Sequence, residues 1–245
     1  MEPRPTSLLI AGAFTLAAAA VLIGLGVWQL ERLAWKNEIV ARIAQRANAA
    51  AKPLPPQADW PQLVAGDHEY ERFAVTGFLE ATRETLIYRS TGKVAGAQAQ
   101  PGYWVMLPLL LADGSRVLVN RGFIALASKD RSKRAEPDGA EVTITGLLRL
   151  TEPRGYFTPP DNPAKAEWFT RDINGIAAAL KLESVAPFSI DQDAHIAAPG
   201  LPAGGATVID IPNNHLSYAL TWFGLAAALG GVFTAFAMRG RGAAQ

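Results

Sequence analysis

The stretch "IPNNHLSYALTWFGLA" occupies Ile211–Ala226 and leads into a run, His215 to Met238, without Asp, Glu, Lys or Arg. A second such run extends from Ser7 to Leu30. Each exceeds the roughly 20 residues that cross a hydrocarbon core about 30 Å thick. Both are predicted transmembrane helices, at 7–30 and 215–238. His215 stands at the lip of the second span, where an imidazole is costly unless it finds a partner.

The rest of the chain has ordinary polarity. The 245 residues carry 23 Lys and Arg against 22 Asp and Glu, a net charge of +1. That balance argues against a nucleic-acid footprint, which would be a strongly basic face. There is no cysteine. Disulfides, thiolate zinc sites, CxxCH haem attachment and thiol copper relays are excluded together. Met1, Met106 and Met238 are the only thioethers, too few for a copper carrier built on soft ligands.

The first run is read as an uncleaved anchor. Its apolar part is longer than the usual signal h-region, and it ends in "GVWQLER", where Trp28 and Leu30 suit a signal-peptidase cut poorly. It lacks the Arg- and Ser-rich look of a transit peptide, so the chain reads as a bacterial inner-membrane protein. Arg239 and Arg241 follow the second span and put the C-terminus in the cytoplasm under the positive-inside bias. Two spans then place the N-terminus there too and the central domain in the periplasm. Arg32, Lys36, Arg42 and Arg46 after the first span pull the other way.

The expected organisation is a cytoplasmic N-terminus (1–6), the first span, a helical extension and Pro-rich connector (31–61), a β-rich domain (62–197), a flexible tether (198–214), the second span and a cytoplasmic tail (239–245). "RFAVTGFL", "ETLIYRS", "YWVMLPLLL", "RVLVNRGFIAL", "EVTITGLLRL" and "FSIDQ" are rich in β-branched or aromatic residues and bounded by turn formers. "ADGS" is read as a hairpin turn. "DINGIAAALKL" is the one internal helix expected. The fold class is thus a membrane α+β protein: two transmembrane helices flanking an antiparallel barrel or sandwich.

Motifs of catalysis are missing. The chain has no GxSxG, HExxH or P-loop, and the expectation is that it is not an enzyme. His68 and His195 read as surface-loop residues. Asp191, Asp193 and His195 could crowd a metal, but one short loop rarely supplies a coordination shell. Asn120, Arg121 and Gly122 are read as a tight bend or bulge, with Arg121 in an ion pair.

Two faces near the lip remain. His215, Tyr218 and Trp222 fall at i, i+3 and i+7 on the second helix; Trp28, Arg32 and Trp35 share a face on the first. One reading is an interfacial belt of aromatics and snorkelling cations. The other is a ligand site. A neutral imidazole among apolar side chains suits haem iron, and a guanidinium such as Arg32 suits propionates. Rows of small residues, Ala13, Ala17, Ala20 and Gly24 on one helix and Gly224, Ala228, Gly231 and Ala235 on the other, would permit close packing.

Taken in order, "LGVWQLERLAWKNEIVARI", "FAVTGFL", "GYWVMLPLLLADGSRVLVNRGF", "ITGLLR", "PPDNPAKAEWFTRD" and "NNHLSYALTWFGLA" resemble the Surf1 (SURF-1/Shy1) family of cytochrome c oxidase assembly factors over nearly the whole chain. The last segment is the most specific. Phe123 stands where the family often has tryptophan, and Leu107 where it often has threonine. The resemblance implies two spans around a domain outside the bacterial membrane. It also implies a role in maturing haem-copper oxidases, with haem a passed to the catalytic subunit. His215 matches the family histidine proposed as a haem ligand. The partners implied are the oxidase catalytic subunit, other assembly factors and membrane lipid, with homo-oligomers left open. The alternative is a scaffold that grips oxidase subunits without holding haem.

Overall fold

The computed structural model describes residues 5–92, 100–133, 139–194, 202–205 and 213–242. The chain divides into two compact units, one made of Met1–Arg42 with Asp210–Gln245, the other of Ile43–Ile209. His195 and most of the tether lie outside the described residues.

The first unit is a pair of helices, α1 (Pro5–Ala47) and α4 (His215–Gly242). Both are long and apolar enough to cross a membrane. No proline follows Pro5 within α1, so nothing breaks the backbone ladder and the helix runs on past its apolar part into "ERLAWKNEIVARI". The half-buried positions Gly12, Thr15, Ala19, Leu22 and Gln29, with the buried Gly26, form a stripe at helical spacing. α4 answers with the buried Ala219 and the half-buried Trp222, Phe223 and Phe233. A Cβ on Gly12 would stand 3.2 Å from the Phe233 ring, and one on Gly26 would stand 2.5 Å from the Phe223 ring. Gln29 meets His215. Numbers rise along α1 as they fall along α4, so the helices are antiparallel.

The seam corrects the expected small-residue rows. Nothing lies within 4 Å of a Cβ built on Gly24, Gly224 or Gly231, and Ala13, Ala17 and Ala20 are exposed. In an alanine-rich helix several faces look small. Here the packing follows the aromatic rings of α4, which need a glycine opposite them.

The second unit is a barrel with short outer elements. Its strands are β1 (Lys52–Pro53), β2 (Arg72–Leu79), β3 (Thr85–Gly92), β4 (Gln100–Leu110), β5 (Arg116–Ala125), β6 (Glu141–Arg149), β7 (Glu167–Trp168) and β8 (Val185–Gln192); its helices are α2 (Trp60–Ala65) and α3 (Ile173–Ala179). The order is β1-β2-β6-β8-β5-β4-β3-β7, and a further pairing of β2 with β4 closes β2, β6, β8, β5 and β4 into a ring. Closure removes the exposed strand edges that invite aggregation. β5 and β8 run parallel, with Asn120 opposite Asp191.

Alternate residues of β4 and β5 bury on opposite faces. Leu107, Leu109, Val117 and Val119 join Phe73, Ile144, Leu148, Phe188 and Ile190 in one core cluster. Met106 and Leu118 join Ile87, Trp168, Ile173 and Ile176 in another, beneath α3. Trp60 on α2 packs edge-on against Phe188, ring centroids 5.7 Å apart, and donates its indole N–H to Pro55 O at 3.0 Å. The helix α3 falls within the expected segment "DINGIAAALKL", and Asp172 accepts the Gly175 N–H at 3.0 Å as its N-cap. Gly114 sits in the predicted hairpin turn with φ +84°, and the Asp113 carboxylate accepts from the Ser115 backbone N–H at 2.9 Å.

Candidate functional site

At the helix lip the imidazole of His215 finds an amide. Its Nδ1 lies 2.7 Å from Oε1 of Gln29. Both side chains are half-buried in the seam, where an unpaired polar group would be expensive. Two turns further along α1, Asn213 Nδ2 donates to Asn37 Oδ1 at 2.9 Å. Gln29 directly precedes Leu30 and Glu31, where the apolar run of α1 ends and charges begin. The first residue of α4 is therefore level with that boundary.

The other lip residues are sorted by helix phase. Trp222 is half-buried beside Phe223. Tyr218 is 55% exposed and Trp28 53% exposed. Arg32 is exposed one turn after Gln29, its guanidinium stacked 3.8 Å over the Trp35 ring. The structure thus joins His215 to Gln29 and leaves Tyr218, Trp28 and Arg32 facing outward. Gln29 was not anticipated. The available signal was that it is the only amide in the charge-free stretch Ser7–Leu30.

The barrel holds a second polar cluster. Arg171 is 0% exposed and donates from Nη2 to both oxygens of Asp191, at 3.0 and 2.9 Å. Arg149 reaches Asp191 at 3.5 Å and Glu69 at 3.1 Å. Arg89 donates to Glu152 at 2.6 Å, and Arg171 lies 3.9 Å from Glu152. The guanidiniums of Arg89 and Arg171 both stack on the Trp104 ring, at 3.7 and 4.9 Å. Burial pushes Arg171 below its ordinary pKa, and Asp191 opposes that. Burial acts to raise the Glu152 carboxyl, but the charges of Arg171 and Arg89 outweigh it and hold the group below its ordinary value. Asp191 is thus bound to arginine, and Asp193 pairs with Arg72. Among the described residues no group of three His, Cys, Asp or Glu could hold a metal.

The "VNRGF" stretch lies inside β5 rather than at its end. Trp104 pairs with Phe123 and Met106 with Asn120, so β5 carries one extra residue, the expected β-bulge. Asn120 Oδ1 accepts the Gly122 N–H at 3.1 Å. Gly122 has φ +128° and faces the backbone of Ala203 and Gly204. The expected ion pair of Arg121 is not there among the described residues. Its pKa is lowered by burial alone.

A cavity of about 500 Å³ opens beside Arg89, lined by Tyr88, Phe169, Tyr156 and Phe157. Tyr156 and Phe157 are 95% and 93% exposed at the tip of a turn. Thr158 N donates to Gly155 O at 3.1 Å and closes it. Nothing in the sequence reading marked this tip.

These features define a membrane protein whose sequence places one apolar helix before and one after a closed β-barrel domain. The SURF1 family model matches residues 16–227, and the chain belongs to the SURF1 family. Surfeit locus protein 1 of Mus musculus is 34% identical over 88% of this chain and 72% of its own length. The Homo sapiens protein of that name is 33% identical over 84% and 70%. A SURF1-like protein of Monosiga brevicollis is 34% identical over 86% and 82%.

Proposed function

We propose that this protein is an assembly factor for haem-copper oxidases that holds haem a at the helix lip and aids its insertion into the catalytic subunit. The observation that carries the reading is the contact of His215 Nδ1 with Gln29, which leaves Nε2 of the ring without a partner among the described contacts. Ligating histidines are commonly oriented in this way, by a bond from the other ring nitrogen. The donor set fits the group. His215 offers a neutral nitrogen, Trp222 and Phe223 offer apolar surface, and Arg32 stands one turn from Gln29 with its guanidinium outward. His215 would hold the haem iron and Arg32 its propionates, and the group would supply a metal that takes a neutral nitrogen donor and anionic arms that take charge-assisted hydrogen bonds. The reading places the protein in the bacterial inner membrane, both termini cytoplasmic and barrel periplasmic, and assigns it no catalysis of its own.

Haem content of protein purified from cells that make haem a tests this. His215→Leu abolishes the Soret band while membrane insertion persists, because leucine suits a span better than histidine. Arg32→Ala lowers affinity by about one to two decades, the equivalent of a lost charge-assisted bond of about 1.5–3 kcal/mol. Arg32→Lys falls between. Wild-type haem content in His215→Leu sinks the reading. A phosphatase reporter fused after residue 197 is active under the proposed topology and inactive under the reverse.

A scaffold that docks oxidase subunits without haem is favoured by one feature, the exposed Tyr156–Phe157 tip. Aromatic side chains dominate binding hot spots. On that reading His215→Leu supports oxidase assembly normally, and alanine at both tip residues does not.

A further inference from the structure

Three histidines occur in the chain, and only His215 is described inside the helix seam, facing an amide that has no charge. The atom of Gln29 that faces the ring is Oε1. An amide oxygen can only accept a hydrogen bond, so the ring nitrogen opposite it, Nδ1, must carry the proton. Neutral imidazole has one proton to place. With it on Nδ1, the lone pair resides on Nε2. We infer that Gln29 is a positioning residue. It holds His215 in the Nδ1–H tautomer and so makes Nε2 the atom available to a metal. The tautomer stands on the contact itself; its use by haem rests on the reading above.

The alternative arrangement shows why the residue type matters. If the amide turned its N–H₂ toward the ring, Nδ1 would have to accept and Nε2 would carry the proton. That ring could not ligate through Nε2. Glutamine at position 29 therefore supports a competent and an incompetent ring, selected by rotation of one amide. The half-buried seam amplifies the choice, because a buried polar pair leaves each partner few substitutes. A carboxylate at position 29 would remove it, since an ionised glutamate offers acceptors only. A methionine would fill a similar volume with only a weak acceptor.

The test uses the full chain in detergent micelles, labelled with ¹⁵N-histidine, with His68→Gln and His195→Gln so that one imidazole remains. Long-range ¹H–¹⁵N spectra at pH 8 report the tautomer. The expected result is a protonated-type Nδ1 and a pyridine-type Nε2. A protonated Nε2 in this protein overturns the inference. Gln29→Glu keeps the Nδ1–H pattern, and Gln29→Met moves the ring toward the Nε2–H form that free histidine prefers. Haemin titration supplies the second arm. Loss of an outer partner costs a metal site roughly 10–100-fold in affinity, so Gln29→Met weakens binding by that factor, and Gln29→Glu binds as well as wild type with a lower midpoint potential. Unchanged affinity in Gln29→Met overturns the positioning role even where the tautomer moves. His215→Leu separates the two claims. If it binds haemin as wild type does, the haem reading fails, whatever the tautomer.

Discussion

Arg171 with Asp191, and His215 with Gln29, are both polar pairs held away from water, but they are built differently. Arg171 and Asp191 are 0% and 2% exposed, and each has further charged neighbours: Glu152 for the arginine, Arg149 for the aspartate. The barrel surrounds them with a chain of alternating charges that also includes Arg89 and Glu69. Among the described residues, the side chains of His215 and Gln29 hold each other and no other side chain. A multiply held pair is locked, and its loss leaves a buried charge. A singly held pair on a half-buried seam keeps one nitrogen free. The first arrangement suits architecture and the second suits a ligand.

Hydrophobic replacement separates the two. Asp191→Ala leaves Arg171 buried without its bidentate partner, and breaking such a pair costs about 3–5 kcal/mol. The expected outcome is a large drop in the thermal midpoint of the full chain in detergent, followed by near-UV circular dichroism. Arg171→Met with Asp191→Leu recovers most of that loss, because apolar side chains of similar volume can replace a buried ion pair. The matching swap at the lip, His215→Leu with Gln29→Leu, should leave the fold intact and, under the proposed function, abolish the Soret band. Failure of the Arg171–Asp191 swap to recover stability would show that the pair does more than hold the barrel. Acid reports the same network. Glu152 has a folded pKa below its ordinary value. Its contribution is complete above the unfolded pKa of about 4.3 and is lost as pH falls through the lower folded value. Glu152→Gln should flatten that part of the acid unfolding curve.

Gly122 and Gly114 give the next contrast, at φ +128° and +84°. A Cβ on Gly122 would meet the Ala203 backbone and stand 2.6 Å from Gly204 N, whereas a Cβ on Gly114 would meet nothing within 4 Å. Gly122→Val therefore carries both a steric and a conformational penalty, roughly 3 kcal/mol or more for overpacking combined with strain. Gly114→Val carries only the second, about 1–2 kcal/mol. Equal losses in denaturant midpoint would mean that the Ala203 segment yields. An unchanged midpoint in Gly114→Val would count against the hairpin turn.

Legibility in the sequence follows the same division. The six principal strands and α3 were readable because their signals are local: β-branched runs, the Asp113–Gly114 turn, the helix-forming segment "DINGIAAALKL". Closure of the barrel through β2 and β4 was not, since Phe78↔Leu110 joins residues far apart in the chain. The Arg171–Asp191 pair depends on β8 lying between β5 and β6, which no spacing reveals. The two-residue strands β1 and β7 are too short to show a period. His215 was visible because a titratable ring beside an apolar run is conspicuous. Gln29 is neutral and was passed over, although it is the ring's partner. The glycine seam was misread because alanine makes several faces of α1 look alike. Gly26 and Gly24 test that correction. Gly26→Ile should force Phe223 aside and weaken a short bismaleimide cross-link between cysteines placed at 29 and 215, while Gly24→Ile should leave it unchanged. The reverse ranking would restore the rows first expected.

The smallest expected effect concerns the outward face of the lip. Arg32 lies 3.8 Å over the Trp35 ring, and a cation–π contact at an exposed site contributes about 0.5–1 kcal/mol. The stack does not neutralise the guanidinium, so its donors stay available to an anion. It does narrow the side chain's freedom, and a donor already ordered loses less entropy on binding. Trp35→Leu should therefore leave thermal stability within about 0.5 kcal/mol, as for most surface changes. It should weaken haemin binding by no more than about fivefold, the equivalent of about 1 kcal/mol. In an Arg32→Ala background the same change should have no effect, because the group it orders is gone. Measuring the two single variants and the double variant closes a cycle that isolates the coupling. Additive losses would place Trp35 in the interfacial belt alone, whereas a coupled loss makes it the support that orients Arg32 toward an anionic group.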